Sequence, residues 1–178
     1  MPELWDVYDE NRQRTGKIIS RPSAWGQEAY HLIIHVAVFD SRNRMLIQRR
    51  SPKKHAWADL WDISAGGSAM AGEDNWQAAE RETREELGIR LHLENVRPHF
   101  SINYTRGFDD FYTVELPDLD ISSLILQEAE VAEVRWASQD EVRQMLKDGS
   151  FVPYFPGLID LLWEVKDNYD GAIQQKKS

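Results

Sequence analysis

The chain has 178 residues, with 21 Lys and Arg against 30 Asp and Glu for a formal charge of −9, 42% hydrophobic content and no cysteine. That is enough for one substantial core and short of two, so a single domain over 1–178 is expected. The acidic field argues against nucleic-acid polymers, and no apolar run approaches the roughly 20 residues that span a bilayer. The opening from Met1 to Trp5 lacks the basic and apolar regions of a signal peptide, and the absence of cysteine suits a reducing compartment, so a cytoplasmic location is expected.

In chain order, Leu4 to Ser20 reads as a hairpin, within an N-terminal extension of residues 1–28. Strands follow near 30–39 and 43–49. His31 and His35 lie in the first of these, where four residues span about 13 Å, too far for both to hold one ion directly. Each is therefore expected to pack or hydrogen-bond within the sheet. A basic run, Arg49, Arg50, Lys53 and Lys54, stands out in an acidic chain and suits phosphate, because guanidinium forks and ammonium groups neutralise its oxygens. A short strand at 60–64 leads into Ala65-Gly66-Gly67-Ser68, read as a turn that lets the backbone approach a ligand.

A helix is expected from about Asp74 to Leu87, ending at Gly88, where a left-handed cap favours glycine. Residues three and four apart share a helical face, so Glu82, Glu85 and Glu86 fall within an arc of about 100°. Trp76, Ala79, Thr83 and Leu87 form the opposite, apolar stripe. Clustered carboxylates repel, and a hard divalent cation such as Mg2+ or Mn2+, which keeps waters or phosphate oxygens in its other positions, offsets that repulsion. A backbone carbonyl of the glycine turn is a further candidate ligand.

Beyond the helix, strands are expected near 91–104, 109–116 and 131–136, with Asp110 just before Phe111 to Leu116 and Glu130 opening the last. Ser138 with Glu141 makes a capping box for a helix through about Lys147. A final helix starts near Pro156 and should bury Leu158, Leu161, Leu162 and Val165, leaving a loose tail at 171–178. Helices that cannot all lie on one side of the strands imply an α/β/α sandwich with a mixed β-sheet. Trp57, Trp61, Tyr104, Tyr154 and Phe155 are candidates for a stacking wall, and seven tryptophans with the hairpin make a homodimer plausible.

Residues 67–89 run Gly67, Glu73, Arg81, Glu82, Glu85, Glu86, Gly88 and Ile89 at fixed offsets. This stretch resembles the Nudix box, G-x5-E-x7-R-E-U-x-E-E-x-G-U, with Thr83 at the first bulky aliphatic position as the one departure. The resemblance runs from roughly Leu4 to Trp136 and implies the Nudix fold, with Glu82, Glu85, Glu86 and the Gly66 carbonyl on the metal and Arg81 bracing the carboxylates. It implies hydrolysis of a phosphoanhydride in a nucleoside diphosphate linked to another moiety, or a similar organic diphosphate. A small phosphorylated, nucleotide-like substrate is the partner so implied.

The flanks resemble the isopentenyl-diphosphate isomerases and hydrolases similar to them, which places Arg50 and Lys54 as diphosphate-binding cations. Ala65 and Gly67 stand where those isomerases need a catalytic cysteine and a metal-binding histidine, so alkene protonation is rejected although His31 and Asp110 fall at other isomerase ligand positions. Glu82 is the first choice of general base, with Asp110 and Glu130 competing. A non-catalytic nucleotide-binding sensor is the alternative outside enzymes, and the intact box argues against it.

Overall fold

The computed structural model describes residues 3–21 and 30–166, so the expected loose tail lies outside the described residues. An antiparallel hairpin, β1 (Leu4–Tyr8) and β2 (Arg14–Ser20), packs its buried Trp5, Val7 and Tyr8 toward the strand that follows. That strand, β3 (His31–Phe39), is the axis of the fold. It pairs parallel with β8 (Gly107–Glu115) on one edge and antiparallel with β6 (Ala65–Ser68) on the other, touching β4 (Met45–Arg50) at Phe39 and Met45. β4 diverges from it to pair with β5 (Trp61–Asp62) and β9 (Val131–Ala137), while β7 (Phe100–Tyr104) closes the far edge against β8.

Alternation along β3 explains the layers, because successive side chains point to opposite faces. Leu32, Ile34, Val36 and Val38 join Ala78, Ala79 and Leu87 of α1 (Asn75–Leu87) in one core. Ala37 and Phe39 join Val142 and Met145 of α2 (Gln139–Asp148) and Ile159, Leu162 and Trp163 of α3 (Pro156–Val165) in the other. The result is the expected α/β/α sandwich on a mixed sheet. Thr83 is fully buried and its Oγ1 donates to Ala79 O at 2.7 Å, so the one departure from the box packs without an unmet hydroxyl.

Several local readings are corrected. The segment 65–68 is a strand and not a turn, in register Ile33 with Ser68 and His35 with Gly66. Its glycines serve close approach, since a Cβ on Gly66 would stand 2.8 Å from Ile34 O. The strand expected over 91–104 shrinks to Phe100–Tyr104, because Asn95 adopts φ +61 and Pro98 lacks an N–H for a ladder; Leu91 and Leu93 still reach the core. On α3 the buried stripe is Ile159, Leu162 and Trp163, and Leu161 is exposed. The caps fall where expected, with Gly88 at φ 73 and the Ser138 and Glu141 box opening α2.

Candidate active site

α1 lies beside β6, where Gly67 leaves room for the Glu82 carboxylate and Gly66 donates its N–H to Glu86. Glu86 is nearly fully buried, and its Oε2 accepts from Gly66 N at 3.2 Å and from Gln48 Nε2 at 3.0 Å. Burial, then the charge of Glu82, pushes its pKa up to about 8. Glu82 is raised as well, chiefly by burial, and Arg81 opposes this. A Cβ on Gly67 would fall 2.4 Å from Glu82 Oε1, so this carboxylate occupies room that a larger residue would close.

Arg81 ties the loop to the helix. Its Nε and Nη2 grip both oxygens of Glu73 at 2.7 and 3.0 Å, Nη2 also donates to Ser68 O, and Nη1 donates to Glu82 at 2.7 Å and Glu85 at 3.2 Å. All five guanidinium N–H groups are thereby used. These partners raise its pKa against the opposing effect of its own burial.

The carboxylates form one wall of a cavity of about 400 Å3. The rest of its lining comes from the end of β4, the loop 51–60, β5, β8 and the segment before α3. Arg50 Nη1 donates to Asp62 Oδ2 at 3.0 Å, and Asp62 Oδ1 accepts from Tyr154 OH at 2.8 Å. Lys54 pairs with Glu130, and burial followed by the charge of Arg50 lowers the pKa of its ammonium. His35 stacks on Phe111 at 4.5 Å between ring centres and holds Nε2 3.6 Å from Asp109 Oδ1, a buried oxygen with no hydrogen-bond partner among the described residues.

Of the residues singled out in the sequence, Gly66, Arg81, Glu82, Glu85, Glu86, Arg50, Lys54 and Glu130 all line this cavity. Asp110 does not. It sits within β8 and not before it, fully buried, bonded by Arg12, by Ser101 Oγ at 2.5 Å and by Asn75 Nδ2 at 2.9 Å, and its neighbour Asp109 faces the cavity instead. His31 is also a packed residue, stacked on Trp5 with its Nδ1 3.1 Å from Arg106 O. Among the stacking candidates only Trp57 and Tyr154 reach the cavity. Trp61 lies under Arg135, Tyr104 contacts His31, and Phe155 projects into solvent before α3. Gln48, Asp62 and Asp109 were missed, and His35, read only as a packed residue, lines the cavity; single polar residues inside apolar strands were the available signal.

Among the described residues, no three acidic or histidine side chains already point at one centre. Arg81 stands between Glu82 and Glu85, while Gln48 and Gly66 hold Glu86. The donor chemistry nevertheless fits a hard dication: three carboxylates line one cavity, and beside the larger effect of burial Glu85 helps raise the pKa of Glu82 and Glu82 that of Glu86, a repulsion that such a charge relieves. Coordination by all three would require side-chain rotation at Glu82 and Glu85.

The NUDIX domain family matches residues 29–155. An uncharacterised Nudix hydrolase of Listeria monocytogenes is 42% identical over 86% of this chain and 90% of its own length. An isopentenyl-diphosphate Delta-isomerase of Pectobacterium atrosepticum is 32% identical over 58% of this chain and 56% of its own length. Among solved structures, a Deinococcus radiodurans protein superposes with a TM-score of 0.72 at 22% identity, covering 91% of this chain and 98% of the other. Among the described residues no helix is long and apolar enough to cross a membrane.

Proposed function

Because the chain belongs to the Nudix family and is a pyrophosphohydrolase, we propose that it cleaves, with Mg2+ or Mn2+, the phosphoanhydride of a nucleoside diphosphate linked to another moiety or of a similar organic diphosphate. The observation that carries this reading is one cavity lined both by the helical carboxylates and by Arg50 and Lys54. A diphosphate needs both: cations for its oxygens and carboxylates for the metal and the attacking water.

Glu82, Glu85, Glu86 and the Gly66 carbonyl would hold the metal, which when bound supplies Lewis-acid polarisation of the anhydride and neutralises developing charge. Lys54 and Arg50 bind phosphate oxygens as point charge and fork respectively. Each is paired in the free protein, Lys54 with Glu130 and Arg50 with Asp62, so phosphate competes with an acid for each cation. Arg81 holds Glu82 and Glu85 in the metal-free protein, and its grip on Glu73 keeps it beside them when they turn toward the metal. Glu82 takes the proton of the attacking water, and Glu130, also at the cavity, is the alternative base. Asp110, enclosed by its own partners, drops out of that role.

Isomerisation of an alkene would need an acid where Ala65 stands, and that methyl is fully buried and inert. A panel of nucleoside diphosphates, nucleoside triphosphates, sugar nucleotides, dinucleotides and isoprenoid diphosphates with Mg2+ or Mn2+ tests the proposal by release of phosphate or a monophosphate. Glu82→Gln should lower turnover by orders of magnitude with little loss of folding. Binding without turnover across the panel would favour a sensor instead.

A further inference from the structure

The loop 51–60 carries a backbone conformation that its side chain disfavours. Trp57 has φ +54, in the left-handed region where a bulky side chain is a genuine outlier, and Asp59 follows at φ +64. The conformation is held from several sides. Arg50 Nε donates to Ala56 O at 3.3 Å, Leu60 N to Trp57 O at 3.3 Å and Arg49 Nη1 to Asp59 at 3.0 Å, while Lys54 is tied to Glu130. Strain that the surroundings enforce in this way concentrates at functional sites.

Burial does not explain the strain. The Trp57 side chain remains 52% exposed, whereas Trp163 packs in a core and Trp61 lies 5.0 Å beneath the Arg135 guanidinium. What the conformation achieves is placement: Trp57 lines the cavity on the same loop as Lys54 and beside Ala56, whose carbonyl Arg50 holds, with both cations sharing the cavity with the carboxylates. The other ring there that the sequence had offered as a stacking surface, Tyr154, is fixed to Asp62 through its hydroxyl.

We propose that Trp57 is the specificity platform of this site, a planar face on which the heterocyclic base of a nucleoside diphosphate stacks while Arg50 and Lys54 hold its phosphates. The proposal rests on the diphosphate reading above and narrows its organic half to an aromatic one. An aliphatic diphosphate offers the indole no aromatic ring to stack, so Trp57 discriminates between substrates that share identical phosphates. Stacking on an aromatic side chain tolerates any base, so the platform selects a class and not a sequence letter.

Calorimetric titration of the full chain with ADP, GDP, CDP and UDP, and with dimethylallyl diphosphate as the non-aromatic control, tests this. At least one nucleoside diphosphate should bind the parent chain about tenfold tighter than the control, and Trp57→Ala and Trp57→Asn should erase that preference while leaving the control unchanged. Trp57→Phe should keep most of it. Because Asn tolerates the left-handed region, Trp57→Asn should also raise the thermal midpoint by about 2–4 °C, the opposite of what removing a structural tryptophan does. Equal affinity of the parent for all five ligands, equal loss for all five in the variants, or a lowered midpoint in Trp57→Asn would overturn the platform. Turnover of the same ligands by the parent reports separately on the hydrolase reading: binding preference without turnover removes hydrolysis and leaves the platform standing.

Discussion

Gly67 and Glu82 are matched as hole and occupant: the Glu82 carboxylate fills the space that a Cβ on Gly67 would take, 2.4 Å away. Gly67 is not at positive φ, so its backbone accepts alanine and only the carboxylate has to move. Gly67→Ala should therefore lower kcat about 100-fold, the cost of misplacing a reacting group by an ångström, with little change in the melting temperature. Steady-state kinetics beside a thermal melt check this, and near-parental kcat would remove Glu82 from the position described.

The pKa of Glu86 sets a pH dependence of known sign. Metal-free native protein keeps this proton up to about pH 8, whereas the unfolded chain releases it near the ordinary carboxylate value of 4.5, so the native state binds more protons through that window. Stability in EDTA should then fall as pH rises from 4.5 to 8, by on the order of a few kcal/mol at most. Glu82 shifts in the same direction and adds to the slope. Glu86→Gln should flatten the slope. Metal binding by the parent should release protons near neutral pH, measurable by calorimetry in buffers of different ionisation enthalpy.

Arg50 and Lys54, the cations proposed for phosphate, should separate in stability while agreeing in function. Arg50 and Asp62 are a nearly buried pair, 16% and 9% exposed, so Arg50→Ala strands the carboxylate and should cost about 3 kcal/mol. Lys54 and Glu130 are partly open to water, and Lys54→Ala should cost less than about 1 kcal/mol. Both should raise KM more than they lower kcat. Chemical denaturation paired with kinetics resolves the difference.

Asp110 should behave as a structural residue. Asp110→Asn removes a fully buried carboxylate whose partner Arg12 is 34% exposed and weakens its hydrogen bonds, which should cost about 1–3 kcal/mol, with kcat nearly unchanged. A large fall in kcat in a variant of parental stability would return Asp110 to the catalytic set.

The helix, its acidic face and its cap were legible in the sequence because fixed offsets from Gly67 to Gly88 translate directly into one helical face and its end. The neighbouring strand was not. A Gly-Gly pair signals a turn locally, and only its partners, Ile34 O and the Glu82 carboxylate, reveal that the glycines serve contact. Adjacent Asp109 and Asp110 posed a harder question. On a strand one must point each way, and the register against Ile33 and Ile34 of β3 decides which. Charge marked only the run Arg49, Arg50, Lys53 and Lys54, from which the resemblance singled out Arg50 and Lys54, while their partners Asp62 and Glu130 depend on sheet pairing and loop closure that no local pattern encodes.

β3 is hydrogen-bonded along both edges and sends side chains into both cores. Neither half of the sandwich can loosen without exposing one face of it, so the two halves are expected to melt in one cooperative step. Its amides, from Ile34 to Val38, should be the last in the molecule to exchange with deuterium. The wall residue His35 lies inside that span, which anchors one side of the cavity to the slowest-opening part of the protein, while Trp57 rides on an irregular loop across from it.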